Sequence, residues 1–247
     1  MAKIEEKIFG KIVRVLRASN FLTLKAAGAK ANICTSAFYN FETELRTPKY
    51  NKQIKIAEAF RIPKELFDEL RNLTKGLNEK YGNTELITLQ IITYRVLNHY
   101  LTQANIPENL MGIDTLNPNT PPISTDNNFS RIMKVLERMN FITPTPLAKK
   151  ANIDIHVIGY IKSNRISSSK DTLTRIAEIL GLTYSILTQL RELEKKLEEY
   201  LETRTDIEKE RKELLILQAL SHALLDYYYR QASINNNYLK KLYTRKK

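Results

Sequence analysis

Residues 143 to 182 read TPTPLAKKANIDIHVIGYIKSNRISSSKDTLTRIAEILGL. Thr143 followed by Pro144 has the form of a helix start: a side-chain oxygen placed to cap, then a residue whose missing N–H does no harm in the first turn. Leu147, Ala148 and Ala151 share one face of the helix so begun. Asn152-Ile153-Asp154 predicts a tight turn, because Asn tolerates positive φ and Asp caps the helix that follows. A short helix over Ile155 to Ser163 turns Ile158 and Ile161 inward and leaves Ile155, His156, Gly159, Tyr160 and Ser163 outward. After the polar stretch Asn164 to Lys170, the residues Leu173, Ile176, Ala177 and Leu180 make the apolar face of a further helix, which Gly181 stops. Another helix begins near Tyr184. Upstream, Ser130 to Met139 carries Ile132, Val135, Leu136 and Met139 on one face, and Phe141-Ile142 closes it.

The same arrangement occurs earlier in the chain. Asn20-Phe21-x-Thr23 recurs as Asn140-Phe141-x-Thr143, 120 residues on, and that offset continues without a gap. It pairs Ile12, Val15 and Leu16 with Ile132, Val135 and Leu136. It also pairs Lys30-Ala31-Asn32-Ile33 with Lys150-Ala151-Asn152-Ile153, and Ile56-Ala57-Glu58 with Ile176-Ala177-Glu178. Later the match resumes at a difference of 128, where Leu89-Gln90 meets Leu217-Gln218 and Gln103-Ala104 meets Gln231-Ala232, so the second half has the longer helical hairpin. Two long copies make a duplicated domain rather than a solenoid. The expected organisation is a first domain over 1–104, a linker over 105–128, a second domain over 129–234 and a basic tail over 235–247. The linker holds four of the eight prolines and many Asn and Thr residues, although Ile106, Leu110 and Met111 are apolar enough to dock on a domain.

Composition agrees with an all-α protein. Only 7 Gly and 8 Pro occur, and Leu, Ile, Lys, Glu and Ala dominate, so no substantial sheet is expected. The formal net charge is +12 and the isoelectric point is near 9.6, which favours a polyanionic partner. Lys-rich composition alone does not decide this. The single cysteine, Cys34, has no partner for an internal disulfide, and no Cys/His set has zinc-ligand spacing, so a reducing compartment is expected. The opening MAKIEEKIFGKIV mixes charges with its apolar residues and does not read as a signal peptide, and no apolar run reaches membrane-spanning length. The expected location is the cytoplasm, in association with the nucleoid, with no membrane partner. No Gly-rich loop cradles a phosphate, and His99 and His222 lie on helices without a nucleophile beside them. The sequence therefore supports no cofactor, no metal and no enzyme.

The order helix, Thr-capped helix, small-residue turn, short helix, polar loop, helix resembles the Cro and lambda-repressor (XRE-type) helix-turn-helix superfamily. In the second half the resemblance is carried by Thr143, Leu147 to Ile153, Ile158, Ile161 and Leu173 to Leu182. In the first it is carried by Thr23, Ala27, Ala31-Asn32-Ile33, Phe38, Phe41-Glu42, Arg46-Thr47-Pro48 and Ile54 to Ile62. It covers Lys11 to Leu70 and Arg131 to Leu190, about half of the chain. Two departures stand out. The turn Gly common in the superfamily is Asn32 and Asn152 here, and the second half has Lys162 where Glu is frequent.

The resemblance implies that the third helix of each domain lies in the major groove of double-stranded DNA while the second braces it. The expected DNA-binding residues are Thr35, Ser36, Tyr39, Asn40, Arg46 and Lys49 in the first domain. In the second they are Ile155, His156, Gly159, Tyr160, Ser163 and Arg165. Of these, Thr35, Ser36, Tyr39 and Asn40 can donate and accept hydrogen bonds to bases, whereas Ile155, His156, Gly159 and Tyr160 are a more apolar set that suits a thymine methyl. Tyr39 and Tyr160 have a second reading as packing on the fourth helix, and His156 has one as a plain surface residue. Arg46, Lys49, Lys52, Arg165 and Lys170 suit phosphate positioning as a group. Cys34 reads as a small structural residue ahead of the third helix.

The segments after each domain read as assembly elements. Leu187, Leu190, Leu193, Leu197 and Leu201 form a coiled-coil-like stripe, whose partner is the returning helix Leu214 to Ala232, the other hairpin or a second chain. Tyr94, Tyr100 and Tyr227-Tyr228-Tyr229 read as hairpin core and rim. The tail lysines and arginines, Lys240 to Lys247, are either a phosphate-binding arm or disordered. Two functions follow from different classes. The first is a sequence-specific transcriptional regulator, a phage- or mobile-element-type repressor acting as a covalent pseudo-dimer, with third helices about 34 Å or a multiple apart. The alternative is a protein-interaction adaptor or anti-repressor that uses the hairpins, possible also as a homodimer.

Overall fold

A computed structural model describes residues 2–81, 85–111, 116–122 and 128–232. The basic tail expected over 235–247 lies outside the described residues. The described chain is all-α, with twelve α-helices, a single 3-10 turn and no strand among these residues. It divides into two compact units, one of residues 1–100 with 138–141 and one of residues 101–137 with 142–247.

The first unit contains α1 (Ala2–Ser19), α2 (Leu24–Lys30), α3 (Thr35–Glu42), α4 (Tyr50–Ala59), α5 (Lys64–Tyr81) and most of α6 (Glu85–Gln103). Helix α1 packs on α3 and α5, α2 on α3, and α4 on α5. Its core includes a cluster of phenylalanines among aliphatic side chains. Phe9 meets the edges of Phe41 at 5.9 Å and Phe67 at 6.4 Å between ring centres, and Phe38 faces Phe60 at 6.2 Å. All five rings are buried, and each contributes on the order of 1.5–3 kcal/mol by leaving water.

The second unit holds most of α7 (Ser130–Met139), then α8 (Pro144–Ala151), α9 (Ile155–Lys162), α10 (Lys170–Ile179), α11 (Tyr184–Glu202) and α12 (Lys209–Gln231). Its core is aliphatic, built on Ile132, Leu136, Leu147, Ile158, Ile161, Leu173, Ile176 and Leu190, all buried. The leucine stripe of α11 is buried as well, and α11 packs on the returning helix α12. Two boundaries differ from the sequence reading. Helix α10 starts at Lys170, because Ser169 Oγ accepts the Thr172 N–H at 3.1 Å and begins the helix one turn before its first apolar residue. Helix α12 starts at Lys209, since its first turn, Lys209 to Lys212, is charged and lacks the apolar period that marks a buried helix.

Backbone sign follows the 120-residue register. Phe21 (φ 54°), Asn32 (53°), Glu44 (62°) and Arg61 (62°) are left-handed, and so are Phe141 (48°), Asn152 (51°), Asn164 (55°) and Gly181 (70°). Each pair closes the same helix of its unit. After α4 the Arg61 N–H reaches Glu58 O at 2.8 Å and the Ile62 N–H reaches Ala57 O at 3.0 Å. After α10 the Gly181 and Leu182 amides make the same two bonds to Glu178 O and Ala177 O, at 3.1 and 2.9 Å.

The described part of the segment between the halves is packed into the second unit. Ile106, Leu110, Met111 and Leu116 are buried, and the 3-10 turn Glu108–Leu110 lies on α11. Gln189 holds the backbone of Asn117 from both sides, its Oε1 accepting the N–H at 2.9 Å and its Nε2 donating to the carbonyl at 2.8 Å. Ser185 Oγ donates to Thr120 O, and the His222 ring bonds Met111 O at 3.1 Å.

Candidate nucleic-acid interface

In the first unit Thr23 Oγ1 accepts the Ala26 N–H at 3.2 Å and starts α2. The Asn32 N–H bonds Ala29 O at 3.1 Å and the Ile33 N–H bonds Gly28 O at 2.9 Å, closing the turn into α3. A Cβ on Gly28 would sit 2.9 Å from Ile33 O, so the absence of a side chain lets α2 and the turn approach closely. Ala148 stands 120 residues later, and there the corresponding bond from Ile153 N to Ala148 O is longer, at 3.1 Å.

In the second unit Thr143 precedes α8 but makes no side-chain cap. The expectation of a Thr143 cap is corrected for a plain reason: the N–H that such an oxygen accepts at the third helical position belongs to Pro146 here, and proline has none. Asp154 does cap α9, its Oδ1 accepting the His156 N–H at 2.7 Å.

The third helices are anchored from below and bare above. Phe38 and Phe41 hold α3, while Ile158 and Ile161 hold α9. At its C-terminal end α3 is tied to α1 by Arg17 Nε and Glu42 Oε1, 2.7 Å apart. The equivalent tie of α9 to α7 is Lys162 Nζ to Glu137 Oε2, 2.5 Å apart. Gly10 lets α1 pass close to α3, since a Cβ there would lie 2.8 Å from Phe41 O, whereas Ser130 at the matching position donates its hydroxyl to Lys162 O at 2.5 Å.

On the outer face of α3, Thr35, Ser36 and Tyr39 (48% exposed) meet solvent and Asn40 is half-buried. On α9 the exposed residues are Ile155 (41%), His156, Gly159, Tyr160 (42%) and Ser163. Neither tyrosine is packed away beneath a fourth helix. A Cβ built on Gly159 meets nothing within 4 Å, so the backbone of α9 is open there. The His156 and Tyr160 rings lie 6.4 Å apart at 31°. Ser163 turns its hydroxyl back to Gly159 O at 2.9 Å, as Thr43 does to Tyr39 O at 2.8 Å, so these two hydroxyls brace their own helix ends.

Arg46, Lys49 and Lys52 are exposed around the end of α3 and the start of α4, and Lys149, Lys150, Arg165 and Lys170 are exposed around α9. Cys34 is exposed at the N-cap of α3, where contact with the Ser36 hydroxyl, then the Ala37 N–H, lowers its thiol pKa, with Lys52 adding to the effect. Sequence reasoning missed Leu45 (74% exposed) and Ile166 (39% exposed), both in the loops after the third helices. The only signal for either was one apolar residue inside a polar loop.

The chain matches no protein-family model, no curated protein and no solved structure.

Two tyrosines and two histidines outside the third helices hold the fold together. Tyr100 OH donates to Phe60 O at 2.6 Å and Tyr228 OH donates to Leu180 O at 3.0 Å, each closing the end of the helix before it. His99 bonds Arg61 O at 3.2 Å, and His222 is buried. Among the described residues no His, Cys, Asp or Glu group is arranged to hold a metal ion, and no helix is long and apolar enough to cross a membrane.

Proposed function

We propose that the chain binds double-stranded DNA in a sequence-specific manner and regulates transcription, each unit laying its third helix in the major groove. One observation carries this reading. In both units a two-turn rod is held by two buried apolar side chains and an ion pair, while its opposite face is bare and flanked by exposed Lys and Arg. An α-helix fits the major groove, outward side chains meet base edges, and flanking cations neutralise phosphates. The two outer faces differ in chemistry, so the two half-sites differ, and one chain supplies both readers. Repression by promoter occlusion is the mechanism that the helix-turn-helix resemblance favours.

The test is fluorescence anisotropy of the full chain on DNA selected from a random duplex pool. Affinity should fall at least ~100-fold between about 50 and about 200 mM salt. The double variant Ser36→Glu, Tyr160→Glu places a carboxylate on each exposed rod and should abolish binding with unchanged thermal unfolding. Salt-independent binding, or binding untouched by the two carboxylates, overturns the reading. A protein-interaction adaptor is the second reading, favoured by the exposed Ile155, Tyr160 and Ile166, and it predicts no salt-dependent binding to any selected duplex.

A further inference from the structure

We propose that α9 recognises its half-site through the 5-methyl groups of thymine, whereas α3 reads bases by hydrogen bonding. The proposal rests on the DNA-binding reading and assigns the chemistry of one of its two sites. Ile155 and Gly159 are four residues apart and therefore lie on one face of α9, one turn from each other. Ile155 projects an exposed aliphatic side chain, and the space above Gly159 is empty out to 4 Å from where a Cβ would stand. Together they form an apolar step and notch about one helical turn long, bordered by the tilted His156 and Tyr160 rings.

The polar groups at both ends of this face are already engaged within the helix. The Asp154 carboxylate is bound to the His156 N–H, and the Ser163 hydroxyl is bound to Gly159 O. Neither Asn, Gln nor Arg stands at the outward positions of α9, so the side chains that make bidentate bonds to purines are lacking there. The thymine methyl is the apolar group that an unmodified base pair presents in the major groove. The matching positions of α3 are Thr35, Ser36, Tyr39 and Asn40, all with hydrogen-bonding ends. Four exposed cations, Lys149, Lys150, Arg165 and Lys170, surround α9, which complements a phosphate backbone better than an apolar protein surface.

The experiment uses the full chain and its selected duplex, with each thymine replaced in turn by deoxyuridine, which removes one methyl and nothing else. The half-site of α3 is marked by strand cleavage from an iron-EDTA group carried on Cys34, the chain's one cysteine, which is exposed at the start of α3. The other half-site belongs to α9. There, at one or two positions, uracil should weaken binding about 4-fold per methyl, the size expected for one buried methyl group. In the α3 half-site the change should stay below about 2-fold. Ile155→Ser should remove the sensitivity to uracil while leaving the salt slope as it was. Equal affinity for thymine and uracil throughout, with salt-dependent binding intact, overturns this proposal and leaves the DNA-binding reading standing. Uracil sensitivity confined to the α3 half-site also overturns it. Absence of salt-dependent binding defeats both.

Discussion

Lys162 on α9 lies 2.5 Å from Glu137 on α7, and the same tie between the first and third helices of the other unit is made with the charges exchanged, by Glu42 and Arg17 at 2.7 Å. Lys162 stands 120 residues after Glu42, where the first unit has the opposite charge. Its partner explains it, because the bond is kept while its polarity is reversed. Both carboxylates are largely buried, so two like charges at either site would be costly.

Arg17→Glu alone should therefore destabilise the first unit by about 2–3 kcal/mol, since it leaves two carboxylates facing each other near the core. Adding Glu42→Lys copies the arrangement of the second unit and should recover most of that loss. Urea unfolding of the four members of this cycle measures the coupling. Two losses that simply add would show that the two side chains do not depend on each other.

The left-handed residue after the fourth helix is Arg61 in the first unit and Gly181 in the second. A side chain there costs on the order of 1 kcal/mol against glycine. Arg61→Gly should raise stability by about that amount and Gly181→Arg should lower it similarly, both read as shifts in the urea midpoint without a change in slope. Arg61 is exposed and α4 keeps its other closing bonds, so no second loss is expected to mask the gain.

Legibility in the sequence followed the physics of each element. Helices with an apolar face advertised themselves, and so did the turn at Asn152-Ile153-Asp154, because period and turn chemistry are local. Arg61 gave no hint of its backbone sign, since arginine is not selected for left-handed φ and a closing glycine was present in the other half alone. The charge exchange between Arg17–Glu42 and Glu137–Lys162 needs knowledge of which residues meet across helices, and that is not a sequence-local property. The docked segment around Met111 was half legible: its apolar residues were visible, but the polar clasp from Gln189 and His222 comes from helices more than 70 residues away. At the candidate interface the outward residues of α3 and α9 followed from helical period, whereas Leu45 and Ile166 sit in loops where no period applies.

Tyr100 and Tyr228 close equivalent helix ends through their hydroxyls, but Tyr100 is fully buried and also receives Asn20 Nδ2 at 3.2 Å, whereas Tyr228 is half-buried. Removing the hydroxyl at the buried site strands more polar atoms. Tyr100→Phe should cost about 1–2 kcal/mol and Tyr228→Phe less than about 1 kcal/mol, measured by urea unfolding. Equal losses would mean that burial does not set the strength of this closure.

His222 sets a pH dependence of definite sign. Burial pushes its pKa down to about 4, partly offset by its bond to Met111 O, so the folded chain holds it neutral. Above the unfolded value near 6.5 the ring is neutral in both states and contributes nothing. As pH falls below that value, the unfolded chain takes up a proton that the folded chain refuses, so stability is lost down to about pH 4, where the folded ring protonates too. The loss attributable to this group is about 3 kcal/mol across that window. Glu194, raised by burial against the pull of Arg131 and Arg191, acts in the opposite direction, so the total pH profile mixes the two. The comparison that isolates His222 is the wild-type chain against His222→Leu, each unfolded in urea at pH values between 7 and 4. The wild type should lose about 3 kcal/mol more than the variant over this range, and parallel profiles would show that the buried ring is not held neutral.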